Sequence, residues 1–333
     1  MSVGVGEAAA DSGGRPLKVG LILPVQDDGM AGATPRWADL RAMAERAEQA
    51  GFDSLWLADH LLFKRGEIQI DINAPGAGEI DLERERTIGA WEAWSLLSAL
   101  AAVTSRVELG PLVACTGYRN PALLAKMADT LDEISGGRLI LGLGAGDSGY
   151  EHRAFGYPYD HKVGRFEEAL TIIRALLRDG ACDFAGTYYQ ARECELRPRG
   201  PRPHGPPLLL GALATGRRML RLTAQYADLW NGWLPFGRNY ADVVPPLREA
   251  VDDACRRHGR DPATLGRTIS VRVAMLGELP PFGEPIHGSP EDVAAALRAF
   301  AGEGISHVQV WLAPSTLGAV EAFAPVLELL DRT

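Results

Sequence analysis

Short apolar runs alternate with helical periodicities along nearly the whole chain. Leu17–Pro24 predicts the first strand. Arg36–Ala50 carries a helical pattern, and Gly51 marks its stop, because glycine accepts the left-handed backbone that ends helices. Asp53–Ala58 and Val107–Val113 predict the second and third strands, with Thr87–Thr104 as the helix between them. In Pro121–Ser135, Leu124, Met127, Leu131 and Ile134 recur at three and four residues and so share one helical face. Gly136-Gly137 ends that helix, and Arg138–Leu143 is the fourth strand. Phe166, Leu170, Ile173 and Leu177 line the next helix. Strands then follow at Pro207–Gly211, Asp228–Trp233, Thr268–Leu276 and His307–Leu312. The helices paired with them are Arg217–Tyr226, Tyr240–His258, Pro290–Gly302 and Leu317–Leu330. Two segments have no period. Leu61–Arg86 reads as an inserted loop, and the turn-rich Gly180–Pro207 as an irregular excursion.

Eight strands alternating with eight helices, with no shift in composition to mark a linker, predict an α/β fold. The expected architecture is a (β/α)8 TIM barrel with insertion segments, one domain over 17–333 behind a loose N-terminal tail of 1–16. Functional groups of such a barrel sit at the C-terminal ends of its strands. Here those ends are Asp59-His60, Val113–Thr116, Gly144–Asp147, Gly211–Gly216, Asn231 and Leu312–Pro314.

Composition narrows the partners. The 333 residues are 46% apolar, ample for a large core. The net charge is −9, and the basic residues form no block, which argues against nucleic acid and anionic membrane. Cys115, Cys182, Cys194 and Cys255 form no C-x-x-C pair and read as reduced thiols of a cytoplasmic protein. The first 16 residues lack the cationic start and apolar segment of a signal peptide. No apolar run approaches the roughly 20 residues that span a bilayer.

Several strand ends carry candidate chemistry. His60 serves there either as an acid–base or cofactor-contacting imidazole, or as a structural group closed on Asp59. Gly142-Leu-Gly144-Ala-Gly146-Asp147 lets backbone approach a ligand. Gly144, Gly146 and Gly149 also match G-x-G-x-x-G, but Gly156 and Pro158 follow too soon for the long helix that a dinucleotide fold needs. Asp147 is either a proton partner in the pocket or a turn residue. Gly211–Gly216 precedes a helix opening with Arg217 and Arg218, either an anion site or an ordinary turn with solvated arginines. Trp91, Trp94, Trp230 and Trp233 are core candidates, the last two near a pocket. The histidines show no metal-ligand spacing, and no G-x-S-x-G occurs.

Taken in order, Phe52–His60 (FDSLWLADH), Tyr118–Pro121 (YRNP) with LDEISGGR ending at Arg138, Leu141–Gly146 (LGLGAG) and Ala227–Asn231 (ADLWN) resemble the bacterial luciferase-like superfamily of flavin- and deazaflavin-dependent oxidoreductases. The resemblance runs from Leu17 to Leu330. It implies a two-electron redox enzyme acting on a small organic substrate, commonly a homodimer. Asp59-His60 and the YRNP stretch look like the branch that uses the 8-hydroxy-5-deazaflavin coenzyme (F-420), with flavin mononucleotide (FMN) as the alternative. Asp147 departs from the Glu or Trp that relatives place there.

The resemblance further implies a non-prolyl cis peptide at Leu112–Val113, in a bulge that presses backbone against the cofactor ring. His60 and Asp147 are then the catalytic candidates. Asp59, His60, Leu112, Val113, Thr116, Gly144, Gly146, Thr215, Gly216 and Arg217 are the cofactor-binding ones, with the phosphate near Thr215–Arg217 and no metal. With FMN the enzyme would be a monooxygenase. Two rival readings are a nicotinamide-dependent dehydrogenase and a non-catalytic flavin-binding barrel. Leu61–Arg86 and Tyr150–Lys162 are the expected substrate-contacting segments, the former as a lid over the mouth.

Overall fold

The computed structural model describes residues 14–64, 86–211, 216–277, 279–280 and 283–332. Eight parallel strands run in chain order around a barrel: β1 (Lys18–Ile22), β2 (Ser54–Leu57), β3 (Glu108–Pro111), β4 (Leu141–Gly144), β5 (Leu208–Gly211), β6 (Leu229–Trp233), β7 (Gly266–Ala274) and β8 (His307–Ala313). β8 pairs with β1 through Lys18↔His307 and the three residues after each. Between β3 and β4 the ring is joined at its base by the parallel bridge Leu109↔Leu139. Further up, Ala114–Cys115 resumes the third strand beside Leu143 and Gly144.

The helices α1 (Trp37–Ala50), α2 (Ala93–Val103), α3 (Pro121–Ser135), α4 (Gly149–Phe155), α5 (Lys162–Asp179), α6 (Arg217–Tyr226), α7 (Val244–Arg257), α8 (Pro290–Gly302) and α9 (Leu317–Asp331) complete the described α-helices. The main core lies between strands and helices, with Leu21, Leu55, Leu109, Leu143, Leu210, Val271 and Val310 all fully buried. Alternate residues of the same strands face inward. The lower lumen is polar: Asn231 Nδ2 donates to Thr268 Oγ1 at 2.9 Å and to Gln309 Oε1 at 2.8 Å. A separate apolar cluster is built on Ile22, Trp56, Leu112, Ile140 and Leu209.

Four local expectations change. The helix expected over Thr87–Thr104 begins only at Ala93, because Thr87–Gly89 pairs antiparallel with Leu62–Lys64 and closes the base of the inserted segment. Glu92 caps α2 by accepting from the N–H groups of Trp94 and Ser95. The Gly180–Pro207 excursion is partly regular, a hairpin of Ala181–Ala185 and Gln190–Glu195. Trp91 is 43% exposed and donates to Pro35 O, so it is no core residue, whereas Trp94 and Trp230 are buried. Arg15, assigned to the tail by sequence, is anchored by Asp331, Asp53 and the Gly51 carbonyl.

Candidate active site at the C-terminal mouth of the barrel

β2 ends where the chain must turn out of the barrel, and His60 sits at that turn. Its Nδ1 lies 3.0 Å from Glu151 Oε2. Glu151 stands at the third position of α4, directly above the β4 glycines. Ser148 caps this helix by accepting from the Glu151 N–H at 3.2 Å. The Glu151 carboxylate turns across the mouth instead of back to its own helix. Oε1 accepts from the N–H groups of Leu61 and Leu62, and Oε2 also accepts from the Tyr118 hydroxyl at 2.7 Å.

Asp147 joins this group from the β4 loop. One ligand atom each of His60, Asp147 and Glu151 lies within 4.8 Å of the others. This spacing suits a cation, yet the Glu151 oxygens already carry four hydrogen-bond partners. That saturation favours a proton-handling network over a metal centre.

The electrostatics follow from a buried carboxylate beside an imidazole. Burial opposes protonation of His60, but the Glu151 hydrogen bond and the charges of Asp147, Glu151 and Asp59 outweigh it and raise its pKa. Burial likewise opposes ionisation of Glu151. His60 and the donors from Leu61 and Tyr118 overcome that and hold its pKa below the usual value. The pair is therefore biased to imidazolium and carboxylate. Tyr118 is pushed far up by burial and neighbouring negative charge, so its hydroxyl is a fixed donor.

The floor of the mouth is the bulge after β3, where the Leu112–Val113 peptide is cis. Its fit depends on glycines in β4. A Cβ on Gly142 would lie 2.1 Å from the Pro111 carbonyl oxygen, and one on Gly144 2.6 Å from Val113 Cγ2. Leu112 belongs to the separate apolar cluster, and partly exposed Val113, Trp233 and Trp311 pack on it. The mouth thus combines an apolar floor with a polar rim carrying one imidazole and two carboxylates. That composition fits a planar ring cofactor lying on the bulge.

A profile describing luciferase-like monooxygenases matches residues 17–276. The chain belongs to the luciferase-like monooxygenase family. A phthiodiolone/phenolphthiodiolone dimycocerosates ketoreductase of Mycobacterium kansasii is 34% identical over 242 residues, covering 69% of this chain and 61% of the relative. The luciferase-like chain therefore matches about three fifths of the length of such mycobacterial relatives. A 5,10-methylenetetrahydromethanopterin reductase of Archaeoglobus fulgidus is 31% identical, over 79% of this chain and 74% of the relative. An F-420-dependent secondary alcohol dehydrogenase, solved with an F-420–acetone adduct, superposes with a TM-score of 0.73 at 17% identity, covering 94% and 99% of the two chains. It shares the barrel architecture.

Within this luciferase-like barrel the sequence-predicted residues separate into groups. His60 and Asp147 converge at the rim, and Leu112, Val113 and Gly144 form or underlie the floor. Asp59 is buried and turned away. Its carboxylate accepts two hydrogen bonds from Arg119, at 2.7 and 2.9 Å, and one from the Cys115 N–H. Thr116 is buried and donates to the Gly144 carbonyl at 3.3 Å. Gly146 has φ +81°, and a Cβ there would lie 2.7 Å from Cys115 Sγ and 2.9 Å from His152 Cε1, so it serves loop packing. Gly216 and Arg217 are exposed at the start of α6, while Thr215 lies outside the described residues. Arg218 is paired with Glu167, which leaves Arg217 as the cation of that turn.

A cleft of about 840 Å³ runs beside the mouth and is lined by Tyr159, Lys162, Tyr188 and Arg218 among others. Tyr159 ties it to the rim by donating to the Asp147 carbonyl at 3.0 Å. The proposed lid falls almost wholly on residues 65–85, outside the described residues.

Glu151 and Tyr118 are site residues that the strand-end reading missed. Ser148-x-x-Glu151 is a helix-start pattern directly after the β4 glycines, and it is the one local signal that places Glu151 at the mouth.

Proposed function

We propose that the chain is an oxidoreductase that transfers a hydride between a deazaflavin ring and a small carbonyl or alcohol substrate in the barrel mouth. The observation that carries the reading is the His60–Glu151–Tyr118 network at the rim of an apolar floor. Carbonyl reduction needs a hydride and a proton. Glu151 holds the imidazole through Nδ1, leaving His60 Nε2 as the atom that gives a proton to a substrate oxygen or takes one from an alcohol. Asp147 adds negative charge that keeps the imidazole protonated. Leu112 and Val113 carry the ring, and the turn at Gly216 and Arg217 is the proposed phosphate site. The cleft toward Arg218 provides a path between ring and turn.

A bound deazaflavin supplies a two-electron hydride carrier that forms no stable oxygen adduct. The relatives named as reductases favour hydride transfer, and FMN with oxygen activation is the second reading, favoured by the monooxygenases for which the family is named. Among the described residues no helix is long and apolar enough to cross a membrane. We take a cytoplasmic homodimer as the working state.

Titrating the purified protein with F-420 and FMN separately tests the reading. F-420 is expected to bind more tightly and to be bleached near its visible maximum when a secondary alcohol is added. FMN preference with oxygen consumption would replace this reading by the monooxygenase one. His60→Ala is expected to lower turnover by about 10²–10⁴-fold with only a modest loss of cofactor affinity. Near-wild-type turnover would reduce His60 to a structural group.

A further inference from the structure

Among the described residues, the wall of the mouth formed by β6, β7 and β8 is aromatic and carries one cation. Arg272 pairs in register with Trp311 across β7 and β8, directly above the lumen-facing pair Ser270 and Gln309. Residues in register on parallel strands face the same side. Trp311 stands two residues beyond lumen-facing Gln309, so it and Arg272 also face the lumen. Its guanidinium carbon lies 4.9 Å from the centre of the Trp311 ring. Trp311 is held by its own indole N–H, which donates to Ser315 Oγ at 3.1 Å. Phe236 meets Trp311 edge-on at 5.9 Å, and Trp233 stands 6.3 Å from Trp311 and 6.2 Å from Phe236, so the three rings form one cluster. All four side chains are half-buried, neither closed off in the core nor free in solvent.

The strand order places this wall across from the rim network. β7 is three strands from β2 and three from β4, the strands that present His60 and Asp147. A substrate with its reacting oxygen at His60 would extend across the floor to this wall. Three rings there select flat apolar surface, and a guanidinium above an indole selects an anion by charge-assisted hydrogen bonds. The rim is acidic, which disfavours an anion at the reacting end and fixes the direction in which such a substrate lies.

We infer that the Arg272–Trp311 wall is a substrate subsite for a planar, conjugated or aromatic acid, its ring against Trp311, Trp233 and Phe236 and its carboxylate on Arg272. This rests on the reading of the mouth as the reaction site. Burial lowers the Arg272 pKa to about 10, so the group is a cation at neutral pH.

Calorimetric titration of the cofactor-loaded protein with benzoate and with benzamide, its neutral isostere, tests the subsite. Wild type is expected to bind benzoate about tenfold more tightly than benzamide. Arg272→Met should erase that preference while keeping benzamide affinity, and Arg272→Lys should keep most of it. Trp311→Leu should weaken both probes together without changing their ratio. Equal affinities in wild type, or a benzoate preference that survives Arg272→Met, overturns the inference. Hydride transfer to a neutral ketone is scored separately. Its absence beside an intact benzoate preference would remove the proposed reaction and leave the subsite. Turnover without benzoate preference would remove the subsite alone.

Discussion

His60 shows what a strand-end position conveys and what it omits. An imidazole after an apolar strand is legible as a mouth residue, but its protonation state depends on Glu151, 91 positions away. Glu151→Gln keeps the size of that partner and removes its charge. If protonated His60 supplies the proton in carbonyl reduction, the rate falls as pH rises through its raised pKa. In Glu151→Gln that loss is expected at lower pH, because less holds the imidazole charged. The pH dependence of kcat, with the His60 ring-proton shift followed by NMR, checks this. An unmoved basic limb together with an unmoved ring titration would show that Glu151 does not set the state of His60. Asp59 teaches the converse. Adjacent to His60 in sequence, it looked like a pocket residue, yet its partner is Arg119, whose approach no local pattern announces.

The glycines of β4 make the same point for elements. Their spacing is plain in the sequence and there suggests room for a ligand. In the fold, Gly142 and Gly144 first make room for the bulge between the two halves of the third strand. The obstacles differ, backbone oxygen at Gly142 and a side-chain methyl at Gly144. Urea unfolding should therefore find Gly142→Ala destabilising by about 1–3 kcal/mol or more, with little relief from Val113→Ala, because the Pro111 carbonyl oxygen remains in the way. Gly144→Ala should cost less and be largely rescued by Val113→Ala in a double-mutant cycle. Equal costs, or rescue of both, would contradict the packing described. The strap between β2, the third strand and α2 is a second device of this scale. Arg119 donates to both Asp59 and Glu92, and burial of the guanidinium is more than offset by those carboxylates. Arg119→Met would strand a buried Asp59 and is expected to lower stability by about 3–5 kcal/mol in the same assay. Thr87–Gly89 and the hairpin after α5 are short strands whose pairing follows no helical or strand period. Windowed periodicity is blind to such pairs.

At the scale of the whole barrel, the polar lower lumen couples stability to pH. His307 is buried, lies 2.7 Å from Ser54 Oγ and edge-on to Trp56, and burial with nearby Lys18 depresses its pKa to about 3 from 6.5. Across that window the unfolded chain binds a proton at this imidazole and the folded chain does not, so stability falls as pH drops, by at most about 1.4 kcal/mol per pH unit for one proton. His60 does not oppose this. Its raised pKa gives stability that is full below the ordinary imidazole value and is lost only on the alkaline side. His307→Gln should flatten the fall in melting temperature between pH 6 and pH 4, roughly the span between the two imidazole pKa values. An equally steep fall would place the acid sensitivity elsewhere.

The alternation of strand and helix was determined by the sequence itself, because the periods of 2 and 3.6 and the glycine stops are set within a few residues of each other. Eight such units in order, with a barrel family's motifs at their strand ends, were enough to indicate the closed ring and the family. Only the tertiary structure decided which polar groups meet. His60 with Glu151, Asp59 with Arg119, the β4 glycines with Val113 and Arg272 with Trp311 are pairs from different units, and closing the cylinder brings them within hydrogen-bonding or van der Waals reach. Contacts of that kind depend on the register of the whole barrel, which no short stretch of chain encodes.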